Sequence, residues 1–234
     1  MSAFRNFFEL TKNDALALKG FACVGVVFSH IDERFLDLGF LFVALFFFLS
    51  GCGFRLRGSP ITFRYAFEKV FPIIFAFALV SLPSFFFGGF SWIPSAWFMC
   101  PYSLILFGLC FLDSRLVFFL VGALCFWGGS AHYAWAASWI FFFVGFWFGR
   151  LGFVSWFLLF FVASLFAFWA NSYVLLCWVF ASVFIFVVIA CKRIFKPFFL
   201  VGRFSIPVWV IHFLPLALLG LNPWLHGGIF LYFH

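Results

Sequence analysis

Continuous apolar runs of membrane-spanning length, scarce charge, and basic residues that fall on alternate connections predict an all-α fold. The expected architecture is a polytopic transmembrane helical bundle of about nine spans with a cytoplasmic N-terminus. Of the 234 residues, 67% are hydrophobic, only 9% are charged, and 48 are phenylalanine. A soluble domain is about half apolar and about a quarter charged, so this chain lacks the polar surface needed to coat a core. Barrel strands are disfavoured because the apolar runs are continuous and do not alternate. No nucleic-acid partner is expected, since the excess of 14 Lys+Arg over 7 Asp+Glu is spread along the chain and builds no basic face.

The elements follow from the punctuation. Residues 1–14 form a polar cytoplasmic segment with Arg5, Asn6, Glu9, Lys12, Asn13 and Asp14. The first apolar run, 15–31, carries Lys19 and has no small-residue cleavage pattern, so it reads as a retained helix and not a removed signal peptide. The second run is 35–54, and the third is 65–87, ending at Gly88-Gly89. Runs 96–112, 115–130 and 133–149 are divided at Asp113 and at Gly128-Gly129-Ser130. Runs 151–169, 173–191 and 200–220 complete a single bundle over 15–220. Residues 221–234, with Trp224, His226, Tyr232 and His234, read as an outer aromatic tail anchoring at the interface.

Lys and Arg remain on the cytoplasmic side of short connections, and this rule tests the count. With the N-terminus inside, the cytoplasm receives Arg5, Lys12, Arg55, Arg57, Arg64, Lys69, Arg115, Arg150, Lys192, Arg193 and Lys196. The opposite side receives Arg34, set among Asp32, Glu33 and Asp37. The seven cysteines are scattered through apolar runs with no Cys-x-x-Cys pair and no His/Cys cluster, so they read as packing residues without metal or redox duty.

Ionisable groups inside a bilayer are expensive and mark candidate sites. Lys19 and His30 lie eleven residues apart on the first run, close to three full turns, so they share a face about 16 Å apart along the axis. Snorkelling to the interface is the plain alternative for Lys19, and an ordinary helix-end histidine is the plain alternative for His30. His212 lies in the outer half of the last run with Ser205 on its face; Pro207 and Pro215 are expected to bend that helix and free backbone carbonyls. Arg55, Arg57, Arg64 and Lys69 form the densest basic patch. Topology accounts for part of it, and recognition of a phosphate-bearing nucleotide or coenzyme A is the functional alternative.

At these residues the chain resembles the integral-membrane acyltransferase type 3 family, which O-acylates cell-envelope carbohydrates. Leu18-Lys19-Gly20-Phe21-Ala22, continuing through Val26-Val27-Phe28-Ser29-His30, is similar to the family's Leu-Arg-Gly-x-Ala pattern ending in an apolar run and histidine. Phe46-Phe47-Phe48-Leu49-Ser50-Gly51 resembles its Phe-Phe-Val-Leu-Ser-Gly helix, and Lys69-Val70-Phe71-Pro72 its Arg-Ile-x-Pro start of the third helix. Gly202-Arg203-Phe204-Ser205, continuing to Trp209-Val210-Ile211-His212-Phe213, is similar to the C-terminal Gly-x-x-Ser…Tyr-Leu-Ile-His signature. Ser95-Ala96-Trp97-Phe98 is a weaker match to a mid-chain Trp-Phe pair. Lys19 stands where the family usually has Arg, and Ala44 where many members have Asp.

The resemblance implies an enzyme of the bacterial plasma membrane. It would move an acyl group, acetyl being the commonest, from cytoplasmic acyl-CoA to a hydroxyl of a carbohydrate or lipid-linked acceptor, without metal. His30 would act as general base, with Asp37, Asp32 or Glu33 orienting its ring; Asp37 would fold back from the next helix. Lys19, Arg55, Arg57, Arg64 and Lys69 would bind the coenzyme, and Ser205 and His212 would shape the acceptor site. The bilayer and the acceptor are the expected partners. The competing reading is a non-catalytic membrane subunit, a small transporter, or a degenerate acyltransferase scaffold that partners another protein chain.

Overall fold

A computed structural model describes residues 10–31, 38–57, 60–86, 93–130, 138–147 and 173–204. Among these residues the chain is all-helical and contains no strand. The helices are α1 Lys12–Ile31, α2 Gly39–Arg57, α3 Phe63–Phe86, α4 Ile93–Phe111 and α5 Ser114–Ser130. A 3-10 turn Ser138–Ile140 leads into α6 Phe141–Trp147; α7 Tyr173–Ala190 is followed by a 3-10 segment Lys192–Phe198 and by α8 Phe199–Arg203. The expected segment 151–169, the outer tail and most of 200–220 lie outside the described residues, as does the Gly88-Gly89 break.

One element differs in kind from the sequence expectation. The run 133–149 is expected as one α-helix; its described part, 138–147, is helical throughout but opens with a 3-10 turn, Ser138–Ile140, before the α-helix Phe141–Trp147. The expected run 115–130 is matched by α5, Ser114–Ser130, with Gly128-Gly129-Ser130 as its last described residues.

Local chemistry explains where helices start. Thr11 and Asp14 form a reciprocal cap: the Asp14 amide donates to Thr11 Oγ1 at 3.1 Å and the Thr11 amide donates to Asp14 Oδ2 at 3.2 Å. Thr62 Oγ1 accepts from the Tyr65 amide at 3.3 Å before α3, and Asp113 Oδ1 accepts from the Arg115 amide at 2.8 Å before α5. Within the apolar stretches, hydroxyls are returned to the backbone of the preceding turn. Ser29 donates to the Val26 carbonyl at 2.7 Å, Ser50 to Phe46 at 2.9 Å and Ser182 to Trp178 at 2.5 Å. No uncompensated hydroxyl is created by burying these three serines.

α2 is the hub of the packing. It contacts α1, α6 and α7, and Val43, Ala44, Leu45, Phe47, Phe48 and Leu49 on it are all buried. A helix buried around nearly its whole circumference must be apolar on every side, and this one is. Helices meet closely at two glycine crossings. A Cβ on Gly20 would collide with the Phe198 carbonyl and stand 2.6 Å from the Gly202 amide, and a Cβ on Gly202 would strike the Leu16 carbonyl. Gly51 and Gly145 make the equivalent crossing, against the carbonyls of Phe142 and Phe48. Small residues that let backbones touch are the means by which helices associate where lipid removes the hydrophobic drive.

By length and composition, no single described helix is long and apolar enough to cross a membrane. α7 residues Val174–Ala190 and the segment Lys192–Arg203 meet that test together, across a bend of 82°. The outer faces are nonetheless strongly apolar: Phe67, Phe71 and Phe75 on α3, Phe119 and Leu120 on α5, and Phe180, Val183 and Val187 on α7 are all exposed. The α3 rings stack in series, at 5.1 Å between Phe67 and Phe71 and 6.0 Å between Phe71 and Phe75.

Candidate functional site: a basic and aromatic cluster at one end of the helices

Pairwise contacts bring the basic ends of several helices together. Phe54 near the end of α2 meets Tyr65 at the start of α3, with ring centroids 5.4 Å apart. Phe63 beside it lies 5.4 Å from Phe107 and 6.4 Å from Phe111 at the end of α4. The start of α1 joins the end of α7 through Lys192 and Asp14, 3.7 Å apart with side chains only 14% and 15% exposed. The glycine crossing at Gly20 and Gly202 holds α8 against the same end of α1. The first and last patterns of the family resemblance, Leu18–Ala22 and Gly202–Ser205, are therefore brought into backbone contact at Gly20 and Gly202.

Lys19, Arg57 and Lys69 converge around aromatic side chains. The Arg57 guanidinium lies 3.6 Å from the Tyr65 ring centroid, and Lys69 Nζ lies 5.5 Å from the same ring. Lys19 is half-buried, with its ammonium 5.9 Å from the Phe46 ring, and its charge and that of Lys69 repel one another. Cys23 and Cys52 stand near Lys19, and Arg55 is the cation closest in effect to Cys52. Tyr102 on α4 completes the inner wall, sharing a hydrogen bond with Ser50 and packing on Phe47 at 6.2 Å. A ring face held near a cation contributes about 0.5 to 1 kcal/mol at exposed positions, so Tyr65 fixes two cations side by side without neutralising either.

Arg64, expected in the same cluster, turns away from it. Its Nε donates to Glu68 Oε1 at 3.0 Å one turn along α3, and the two side chains are 90% and 57% exposed. It is an exposed helix pair. Ala44 is fully buried in the α2 core, so an aspartate at that position would need a partner or a cavity. His30 belongs to the last turn of α1, but its side chain lies outside the described residues, as do Asp32, Glu33, Asp37, Ser205 and His212.

Sequence reasoning found the cations and missed the groups that hold them. Tyr65 lies four residues before Lys69 on α3, a spacing that predicts side-chain contact. The link from Tyr65 to Arg57 crosses the connection between α2 and α3 and has no local signal. Tyr102 and Ser50 meet only through tertiary packing. Among the described residues, no group of three or more His, Cys, Asp or Glu side chains is gathered for a metal ion.

What the cluster can do follows from its charge. Exposed Arg55, Arg57 and Lys69 and half-buried Lys19 present cations of two geometries, planar forks and point charges, suited to phosphate oxygens. Compared with protein-family models, with curated proteins and with solved structures, the chain matches none.

Proposed function

We propose that the chain is a polytopic protein of the bacterial plasma membrane and an acyl-CoA-dependent O-acyltransferase. Its acceptor is a hydroxyl of an envelope carbohydrate or lipid-linked sugar, and acetyl is the acyl group. The observation that carries this reading is the gathering of Lys19, Arg57 and Lys69 around Tyr65 and Phe46, at the end of the helices where the resemblance expects an anionic donor. The exposed phenylalanines of α3, α5 and α7 support the bilayer as solvent. Repulsion between Lys19 and Lys69 is relieved when an anion lies between them, so the cluster gains most from a ligand that brings phosphate.

In this reaction the cations hold the coenzyme from the cytoplasmic side, and the thioester points along α1 toward His30, about 16 Å further along the axis at 1.5 Å per residue. The acceptor oxygen attacks the thioester carbonyl; a C–O bond forms and the C–S bond breaks. His30 takes the hydroxyl proton and returns it to the departing thiolate. Its ordinary pKa, about 6.5, suits a base working near neutrality. Asp37 orients the imidazole, and Ser205 with His212 shapes the acceptor end.

A second reading, a non-catalytic scaffold, is favoured by one observation. Gly20, Gly51 and Gly202, which carry three of the matched patterns, all stand at close backbone crossings and so have a packing reason to be glycine. Mass spectrometry of envelope glycans and lipids separates the two readings, comparing cells with wild-type chain and with His30→Ala at matched membrane levels. An acyl group present only with wild type supports the enzyme. Equal acylation, with both proteins inserted and native acceptors present, leaves the scaffold.

A further inference from the structure

The segment following α7 has two unlike faces. Phe195, Phe198 and Gly202 recur at three- and four-residue intervals and dock on α1: the Phe21 ring lies 4.3 Å from Phe195 and 5.7 Å from Phe198, and Gly202 abuts Leu16 and Gly20. The other face carries Arg193, Lys196 and Arg203 interleaved with Ile194, Leu200 and Phe204, all exposed. Ile194 is 70% and Leu200 64% exposed, so large apolar side chains stand open beside the cations. No acidic residue occurs between 191 and 204. Asp14, the acidic group paired across from α1, engages Lys192, which is not on the exposed face. The axis of Lys192–Arg203 turns 82° from that of α7.

Where α7, 18 residues long, is set across a bilayer as the proposed function has it, a continuation turned by nearly a right angle lies along the membrane surface. There the apolar groups sink to the acyl boundary, and Lys and Arg stems reach back to the phosphates. We infer that Lys192–Phe204 is an interfacial strap whose Arg193, Lys196 and Arg203 bind the headgroups of anionic glycerophospholipids in the leaflet at the basic end. Among the described residues no acidic side chain pairs with Arg193, Lys196 or Arg203, and a net positive face favours anionic over zwitterionic lipid. The inference rests on the membrane part of the proposed function and is independent of the acyl-transfer part.

The test uses the full chain in nanodiscs of phosphatidylcholine and phosphatidylglycerol at a 4:1 ratio, with retained lipids read by native mass spectrometry. Wild type is expected to retain phosphatidylglycerol several-fold above its bulk share. The triple variant Arg193→Gln/Lys196→Gln/Arg203→Gln is expected to retain phosphatidylglycerol at close to its bulk share, since each interfacial basic residue favours anionic lipid by about fivefold. Arg64→Gln/Arg115→Gln, which removes exposed cations elsewhere, is expected to keep it. Arg193→Lys/Arg203→Lys keeps the charge and is expected to keep the preference, which separates charge from misfolding. Equal retention in wild type and the triple variant overturns the inference, as does a preference that follows Arg64 and Arg115. Competition by millimolar inorganic phosphate also overturns it, because the segment would then read free phosphate. A flat lipid ratio with acyl transfer intact removes the strap alone; lost acyl transfer with the lipid preference intact removes the enzyme alone.

Discussion

At the scale of single residues, glycines and lysines make opposite demands. Gly20 is forced by proximity: any Cβ there meets the Phe198 carbonyl, which is backbone and cannot rotate away. Gly20→Ala is expected to destabilise the folded protein by about 1 to 3 kcal/mol, the usual scale of overpacking, read as a lower thermal midpoint in detergent. Gly53 on α2 has nothing within 4 Å of the position a Cβ would take. Gly53→Ala is therefore expected to leave the stability unchanged or raise it by up to about 1 kcal/mol, with the midpoint unchanged or higher, since alanine favours the helix. On the proposed function the lysines serve a ligand at some expense to the empty protein. Lys69→Met removes the charge that repels Lys19, so the ligand-free midpoint is expected to hold or rise. Acyl-CoA affinity should at the same time fall about tenfold, roughly one charge-assisted hydrogen bond. Titration calorimetry beside thermal unfolding checks this split; a parallel loss of both would assign Lys69 to structure.

At the scale of elements, the start of α1 shows how much of the fold was legible. The apolar runs located the described helices to within a few residues because span length and hydropathy are properties of local sequence. Thr11 and Asp14 stand at the three-residue spacing of a capping box, a local signal that sequence reasoning missed. The pairing of Asp14 with Lys192, almost the length of the chain away, had no sequence signal; neither did the docking of Tyr65 under Arg57, nor the 82° turn after α7. Arg64 was grouped with the other cations by proximity in sequence, while the i to i+4 spacing to Glu68 already offered it a different partner. The two ion pairs give a comparison. Exposed pairs contribute about 0 to 1 kcal/mol, and Arg64 with Glu68 belongs to that class at 90% and 57% exposure. Asp14 with Lys192 is shielded, so a double-mutant cycle with Asp14→Ala and Lys192→Ala is expected to give a coupling of about 1 kcal/mol or more. The Arg64→Ala and Glu68→Ala cycle should give less than about 0.5 kcal/mol. Equal couplings would mean that the α1 to α7 contact is as solvated as a surface pair.

At the scale of the whole molecule, caps and cations give the same polarity. Thr11, Thr62 and Asp113 cap α1, α3 and α5, alternate helices whose starts fall at the end where Arg57, Lys69 and Lys192 gather. Side-chain caps and clustered cations both belong in water, whereas the bodies of α3, α5 and α7 expose phenylalanine, leucine and valine. A polar end and apolar flanks are the features that a bilayer sorts, and on the proposed membrane reading Lys and Arg near short connections put that end in the cytoplasm. The expectation can be read with single cysteines. Cys23, Cys52, Cys125 and Cys177 are buried, and Cys110 and Cys191 are partly covered, so background labelling of these six should be low. Asp113→Cys and Lys196→Cys are expected to react with a membrane-impermeant maleimide in inverted vesicles and to be protected in intact spheroplasts. Phe119→Cys, on the exposed face of α5, should resist the reagent from both sides and react only after detergent is added. Labelling of Phe119→Cys in intact membranes would place that face in water and remove the bilayer from the account; labelling of Asp113→Cys from outside would invert the orientation and, with it, the side from which the basic cluster meets its ligand.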